Sequence, residues 1–129
     1  MVRYIRASDD INEIHQVDGD TKISAKLLTR EEFDGLAEVG YYQMNKGLQI
    51  IAHKHVSWVI VTVVRGRVLV QTLGHDDETF GPGDTYLVEP GQVHTETALE
   101  DDTLVVVTMN KLDPIAADSH DYGMQIVEV

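Results

Sequence analysis

The chain has 129 residues, no cysteine, 43% hydrophobic residues, and 22 acidic against 10 basic side chains, for a formal net charge of −12. That length fits one domain spanning residues 1–129, with enough apolar content for a core. The absence of cysteine excludes disulfides, thiolate metal ligands and a cysteine nucleophile, and the acidic balance argues against nucleic acid and anionic membranes as partners.

The N-terminal stretch Met1-Val2-Arg3-Tyr4-Ile5-Arg6 lacks the apolar segment of a secretory signal. No apolar run approaches the roughly 18 residues that span a bilayer, so a cytoplasmic location is expected. After Ser8-Asp9-Asp10, Ile11, Ile14 and Val17 recur at every third position, which predicts a turn or two of helix. Ile23, Ala25 and Leu27 alternate with Ser24 and Lys26, the pattern of a half-buried strand. Thr29-Arg30-Glu31-Glu32 has the form of a capping box ahead of Phe33, Leu36 and Ala37, which predicts a second short helix, weakened by Gly35.

From Tyr41 onward the chain reads as strands separated by turns. Asn45-Lys46-Gly47 divides residues 41–44 from 48–55, and Arg65-Gly66 divides 58–64 from 67–73. Gly81-Pro82-Gly83 and Pro90-Gly91 flank a strand at 84–88; Pro followed by Gly suits the two central positions of a type II turn. Segments 95–98 and 103–109 follow, parted by Glu100-Asp101-Asp102, and residues 124–129 supply one more candidate strand. That acidic cluster and Asp76-Asp77-Glu78 both read as solvated turns. Short strands at this spacing predict an all-β sandwich or barrel with short helical turns near its N-terminus.

His53-Lys54-His55 closes the apolar run 48–52. Residues i and i+2 of a strand share a face, so two imidazoles stand together and Lys54 points away. Neutral imidazole suits zinc, iron, copper and nickel. The same alternation puts Gln49 and Ile51 on the face of His53, and puts Val61 beside an inward Val59. A pocket lined by Gln49, Ile51, Val59 and Val61 is therefore expected, mostly apolar and suited to a small hydrophobic ligand. Trp58 and Ile60 then face outward, as a partner surface or beneath another part of the chain. His75 falls in the turn Gly74-His75-Asp76-Asp77, and His15 and His120 read as surface residues.

The glycines and histidines of this region occur in a recognisable register. Gly47 precedes His53 and His55, and Gly66 closes the segment. Gly83, Gly91 and His94 follow with matching spacing. Over about residues 40–110 the arrangement resembles the two motifs of the cupin family. The proline of the second motif falls at Glu89, with Pro90 adjoining it. The resemblance implies a double-stranded jelly-roll barrel in which His53, His55 and His94 converge on a divalent metal ion (Fe, Mn, Ni or Zn). It also implies a homodimer and a small-molecule substrate or ligand. One position departs from the pattern: the motif's glutamate ligand falls at Val59, and the shifted alternative is Ile60. Neither can coordinate. Glu96, two residues after His94, shares its face on an intact strand. It is a candidate fourth ligand or general base, or else an exposed strand-end carboxylate.

Two functions follow as expectations. A three-histidine site suits a metal-dependent enzyme, either a dioxygenase or a carbonyl-activating isomerase or lyase. The missing carboxylate at Val59 suits a non-catalytic binding or sensing protein, with or without metal.

Overall fold

The computed structural model describes residues 2–18, 21–28, 37–55, 58–110 and 124–126. The regular elements among them are all strands: β1 (Glu13–Asp18), β2 (Thr21–Leu27), β3 (Ala37–Met44), β4 (Gln49–His55), β5 (Val59–Arg65), β6 (Val68–Thr72), β7 (Glu78–Phe80), β8 (Thr85–Val88), β9 (His94–Ala98), β10 (Thr103–Asn110) and β11 (Met124–Ile126). No described helix is long and apolar enough to cross a membrane.

The strands form two antiparallel sheets, β1-β2-β3-β10-β5-β8 and β11-β4-β9-β6-β7. Alternation decides which side of each strand is buried. On β5, Val59, Val61 and Val63 are buried, while Ile60 faces outward. On β3 the buried set is Glu38, Gly40, Tyr42 and Met44. Together with Ile23, Ala25, Val68, Val70, Tyr86, Val88, Ala98 and Val105, most of these side chains make one core between the sheets.

Tight turns return the chain from one sheet to the other. Gly66, between β5 and β6, has φ +80°, and a Cβ there would lie 2.7 Å from the Cα of Thr103. Only glycine meets both conditions without strain.

The first helical expectation is corrected. Residues 13–18 are strand β1, paired with β2 through Glu13↔Ala25, Ile14↔Ser24 and His15↔Ile23. Ile14 is 72% exposed, so the three-residue spacing did not mark a buried helical face; pairing with a neighbouring strand outweighed it. The second predicted helix, at residues 29–36, lies outside the described residues, and Ala37 already belongs to β3.

The segment ahead of β1 covers part of the outer face of β2. Lys26 lies on that face yet is buried, because its Nζ donates to the carbonyls of Ala7 and Asp9 and sits 4.9 Å from the ring of Tyr41. At the far end of the same sheet, Ile60 and Leu87 stay exposed and directly opposite each other. His75 is exposed beside the turn after β6. The side chain of His15 and all of His120 lie outside the described residues.

Candidate metal centre

Strand β4 carries an irregularity that sets up the site. Gln49 pairs with Thr97 and Ile50 with Glu96, but the next partners are His53 and His94. Three steps along β4 thus match two along β9, which is a β-bulge, a feature common beside functional sites. Directly opposed residues share a face, so Ile50 and His53 point inward with Glu96 and His94. The bulge shifts the phase of everything before it. Ile51 is 44% exposed, and Gln49 is exposed with its Nε2 donating to Thr97 Oγ1 at 3.1 Å. The expected lining of the pocket by Gln49 and Ile51 therefore does not hold. Simple alternation counted back from His53 has no way to include an extra residue. Val59 and Val61, on the regularly paired stretch 59–63 of β5, are buried in the core.

His53 and His94 are themselves buried, with ring centroids 4.0 Å apart. Nδ1 of His53 donates to the carbonyl of Ile51, one of the two residues within the bulge, at 2.8 Å. Nδ1 of His94 donates to the carbonyl of Gln92 at 3.1 Å. A carbonyl oxygen only accepts, so each Nδ1 bears the hydrogen and each Nε2 is the nitrogen available to a metal. The Gln92 carbonyl is presented by a tight turn, in which Gln92 N donates to the Glu89 carbonyl at 3.2 Å and Gly91 adopts φ +79°. The Pro90-Gly91 pair read from the sequence occupies the centre of that turn.

Glu96 closes the cluster. Its side chain is 12% exposed; Oε1 lies 2.9 Å from Nε2 of His94 and 3.5 Å from Nε2 of His53. It is thus an interior group. Oε2 accepts a 2.5 Å hydrogen bond from the hydroxyl of Tyr86. Candidate ligand atoms of His53, His94 and Glu96 all lie within 4.8 Å of one another. The backbone of His55 pairs with Met124 of β11, and its side chain lies outside the described residues.

The electrostatics follow from this packing. Burial of Glu96 opposes its charge, yet hydrogen bonds and charge from His53 and His94 outweigh that and hold its carboxyl well below the ordinary range. Burial likewise opposes protonation of His94, but the Glu96 hydrogen bond and charge, with the Gln92 carbonyl, raise its pKa. Tyr86 is pushed well above the usual phenol value by burial, and then by the charge and hydrogen bond of Glu96. The phenol thus keeps its proton and serves as a fixed donor.

Without metal, the short contact between His94 Nε2 and Glu96 Oε1 holds a proton. A divalent ion binding the same nitrogen and oxygen lone pairs would displace that proton. The donors present are imidazole nitrogens and a carboxylate oxygen, which fit Fe, Mn, Ni or Zn. Tyr86 was not singled out from the sequence, although its alternation with Val88 on one strand marks both as inward.

The fold and this cluster define a two-sheet barrel with an inward His/His/carboxylate site. A family model described as "Cupin domain" matches residues 40–110, more than half of the chain, and the protein belongs to the cupin family. No curated protein sequence matches the chain. Among solved structures, a cupin-like protein from Thermotoga maritima is similar at 25% identity and TM-score 0.64, over 82% of this chain and 86% of its own. KdgF from Halomonas sp. is similar at 22% identity and TM-score 0.62, over 77% of this chain and 87% of its own. A second Thermotoga maritima protein, described as a predicted oxalate decarboxylase, is similar at 18% identity and TM-score 0.67, over 85% of this chain and 97% of its own. The last two likenesses speak to the fold alone.

Proposed function

We propose that this protein is a metal-dependent cupin enzyme acting on a small organic molecule. The observation that carries the reading is the convergence of His53, His94 and Glu96 within 4.8 Å. His53, His94 and Glu96 would hold the ion, with His55 added on the strength of its motif position. An ion on such a donor set supplies Lewis acidity toward a substrate oxygen, or oxygen chemistry if it is iron. The chain's own residues do the rest. The carbonyls of Ile51 and Gln92 fix the two rings. Tyr86 orients Glu96 without giving up its proton. Glu96 fills a ligand position; if His55 completes the set in its stead, Glu96 is the group placed to take a proton from the substrate. The buried valines Val59 and Val61 keep that chemistry away from bulk water.

The test is elemental analysis of untagged protein. We expect about one Fe, Mn, Ni or Zn per chain, lost in His94→Ala. Protein that is metal-free as purified and takes up none of the four would refute the proposal. Oxygen consumption by anaerobically iron-loaded protein, over a substrate panel, then separates the dioxygenase from the isomerase or lyase.

A second reading is favoured by Val59, which places a buried apolar side chain where the family motif has a carboxylate. On that reading the barrel binds a small ligand without turning it over, and a ligand that raises the melting temperature and is recovered unchanged supports it. The opposed, exposed pair Ile60 and Leu87 is where we place a homodimer contact. Sedimentation equilibrium of Leu87→Lys checks it, with a shift to monomer expected.

A further inference from the structure

A second carboxylate lies in the barrel, apart from the histidine cluster. Glu38 is on the inner face of β3 and only 2% exposed. Its Oε2 accepts a 2.8 Å hydrogen bond from the hydroxyl of Tyr42, four residues further along the same face. Its Oε1 is fully buried and has no hydrogen-bond partner among the described residues. A buried carboxylate oxygen without a partner loses its hydration and gains nothing in return, and native interiors rarely carry such a group without a reason. Where binding or chemistry needs the group, that cost is retained.

Its position in the fold gives the reason. The ladder runs Glu38↔Met109↔Val59↔Val88 across the sheet. Glu38 thus shares one inward row with Val59, the position that lacks the motif carboxylate. Strands β3 and β4 leave the same turn at Asn45-Lys46-Gly47 and enter opposite sheets. Glu38 lies six residues before the end of β3. His53 lies four residues after the start of β4. At about 3.3 Å per residue, both stand toward the end of the barrel away from that turn. Yet Glu38 is not among the groups that gather within 4.8 Å of one another. It is placed to face the same interior without joining the ligand set.

We propose that Glu38 is a ligand-binding residue whose Oε1 accepts a hydrogen bond from an O–H or N⁺–H group of the substrate. The substrate class is then a small hydroxy or amino acid. With an ion held by His53, His94 and Glu96, the carboxylate end would meet the ion, the donor end Glu38, and a short apolar middle Val59, Val88 and Met109. Tyr42 keeps the second oxygen occupied, so the free oxygen has one defined direction. The inference rests on the metal site proposed above and extends it to what the site holds.

The test uses zinc-loaded, full-length protein and three series of straight-chain carboxylic acids of three to six carbons, ended by methyl, hydroxyl or ammonium. Affinities are measured by calorimetry. At one chain length the hydroxyl- or ammonium-ended acid binds at least tenfold more tightly than the methyl-ended one. That preference disappears in Glu38→Leu, while zinc affinity stays within about twofold of wild type. Glu38→Gln, which keeps an acceptor for Tyr42 and preserves the shape, loses the ammonium preference. Equal binding of all three series, no binding by any, or a preference that survives in Glu38→Leu would each overturn the proposal. Loss of zinc in Glu38→Leu would overturn it too, by making Glu38 a metal ligand. Failure of the wild-type protein to take up zinc strikes instead at the metal site, so the two ideas fail separately.

Discussion

Replacing Tyr86 by Phe isolates one hydrogen bond behind the metal cluster. The ring remains, and with it the packing against Phe80 at a centroid distance of 4.7 Å. What disappears is the 2.5 Å bond from the phenol to Glu96 Oε2. A hydrogen bond to a charged group contributes about 1.5–3 kcal/mol. Removing a partner that orients a metal ligand typically costs about 10- to 100-fold in metal affinity. The two ranges agree, since each tenfold step is about 1.4 kcal/mol. Tyr86→Phe should therefore weaken zinc binding by about 10- to 100-fold and destabilise the metal-free protein by about 1.5–3 kcal/mol. Competition against a chromophoric chelator at neutral pH reads the first quantity, and urea unfolding of the apo-protein reads the second. A variant that loses stability but binds zinc with wild-type affinity would refute the reasoning, because Tyr86 would then be a packing residue with no hold on the site.

Three other outcomes are expected. The His94 pKa is raised, so its contribution is complete below the ordinary imidazole value of 6.5 and is lost as pH rises through the folded value. Glu96 is lowered, so its contribution is complete above the ordinary carboxyl value of 4.5 and is lost as pH falls through the folded value. The stability gap between metal-free wild type and Glu96→Gln, from urea midpoints, should thus peak between those two values and shrink on both sides. Gly66→Ala forces a side chain onto φ +80° and within 2.7 Å of the Thr103 backbone; a loss of about 2–4 kcal/mol is expected in urea unfolding. Deleting Ile51 should leave Ile50 opposite Glu96 and His53 opposite His94 on a regular ladder, so the chain still folds by circular dichroism. His53 then loses the carbonyl that orients its ring, and zinc affinity should fall about 10- to 100-fold.

Much of the barrel was legible in the residue order, because its punctuation is local chemistry. A Pro-Gly pair such as Pro90-Gly91 sets a turn wherever it occurs, and Gly66 marks the break between β5 and β6 on φ alone. Alternation likewise identified β2 and the inward face of β5. Ile11, Ile14 and Val17 suggest a turn or two of helix, but three apolar residues at spacing three are too few to establish a period, and residues 13–18 form β1. Its strand character comes from β2 beside it.

By itself the sequence determined the strand-rich barrel, the cupin register of Gly47, Gly66, Gly83 and Gly91, and the histidines worth examining. These rest on spacing along the chain, which a reader can count. The tertiary structure decided the facing of residues on either side of the β4 bulge, and it moved Gln49 and Ile51 outward. It also placed Glu96 between two imidazoles with Tyr86 behind it, and left one oxygen of Glu38 without a hydrogen-bond partner among the described residues. The reason is physical: a bulge is a mismatch between two strands, and burial or satisfaction of a polar atom depends on neighbours far away in sequence. Neither can be counted on one strand alone.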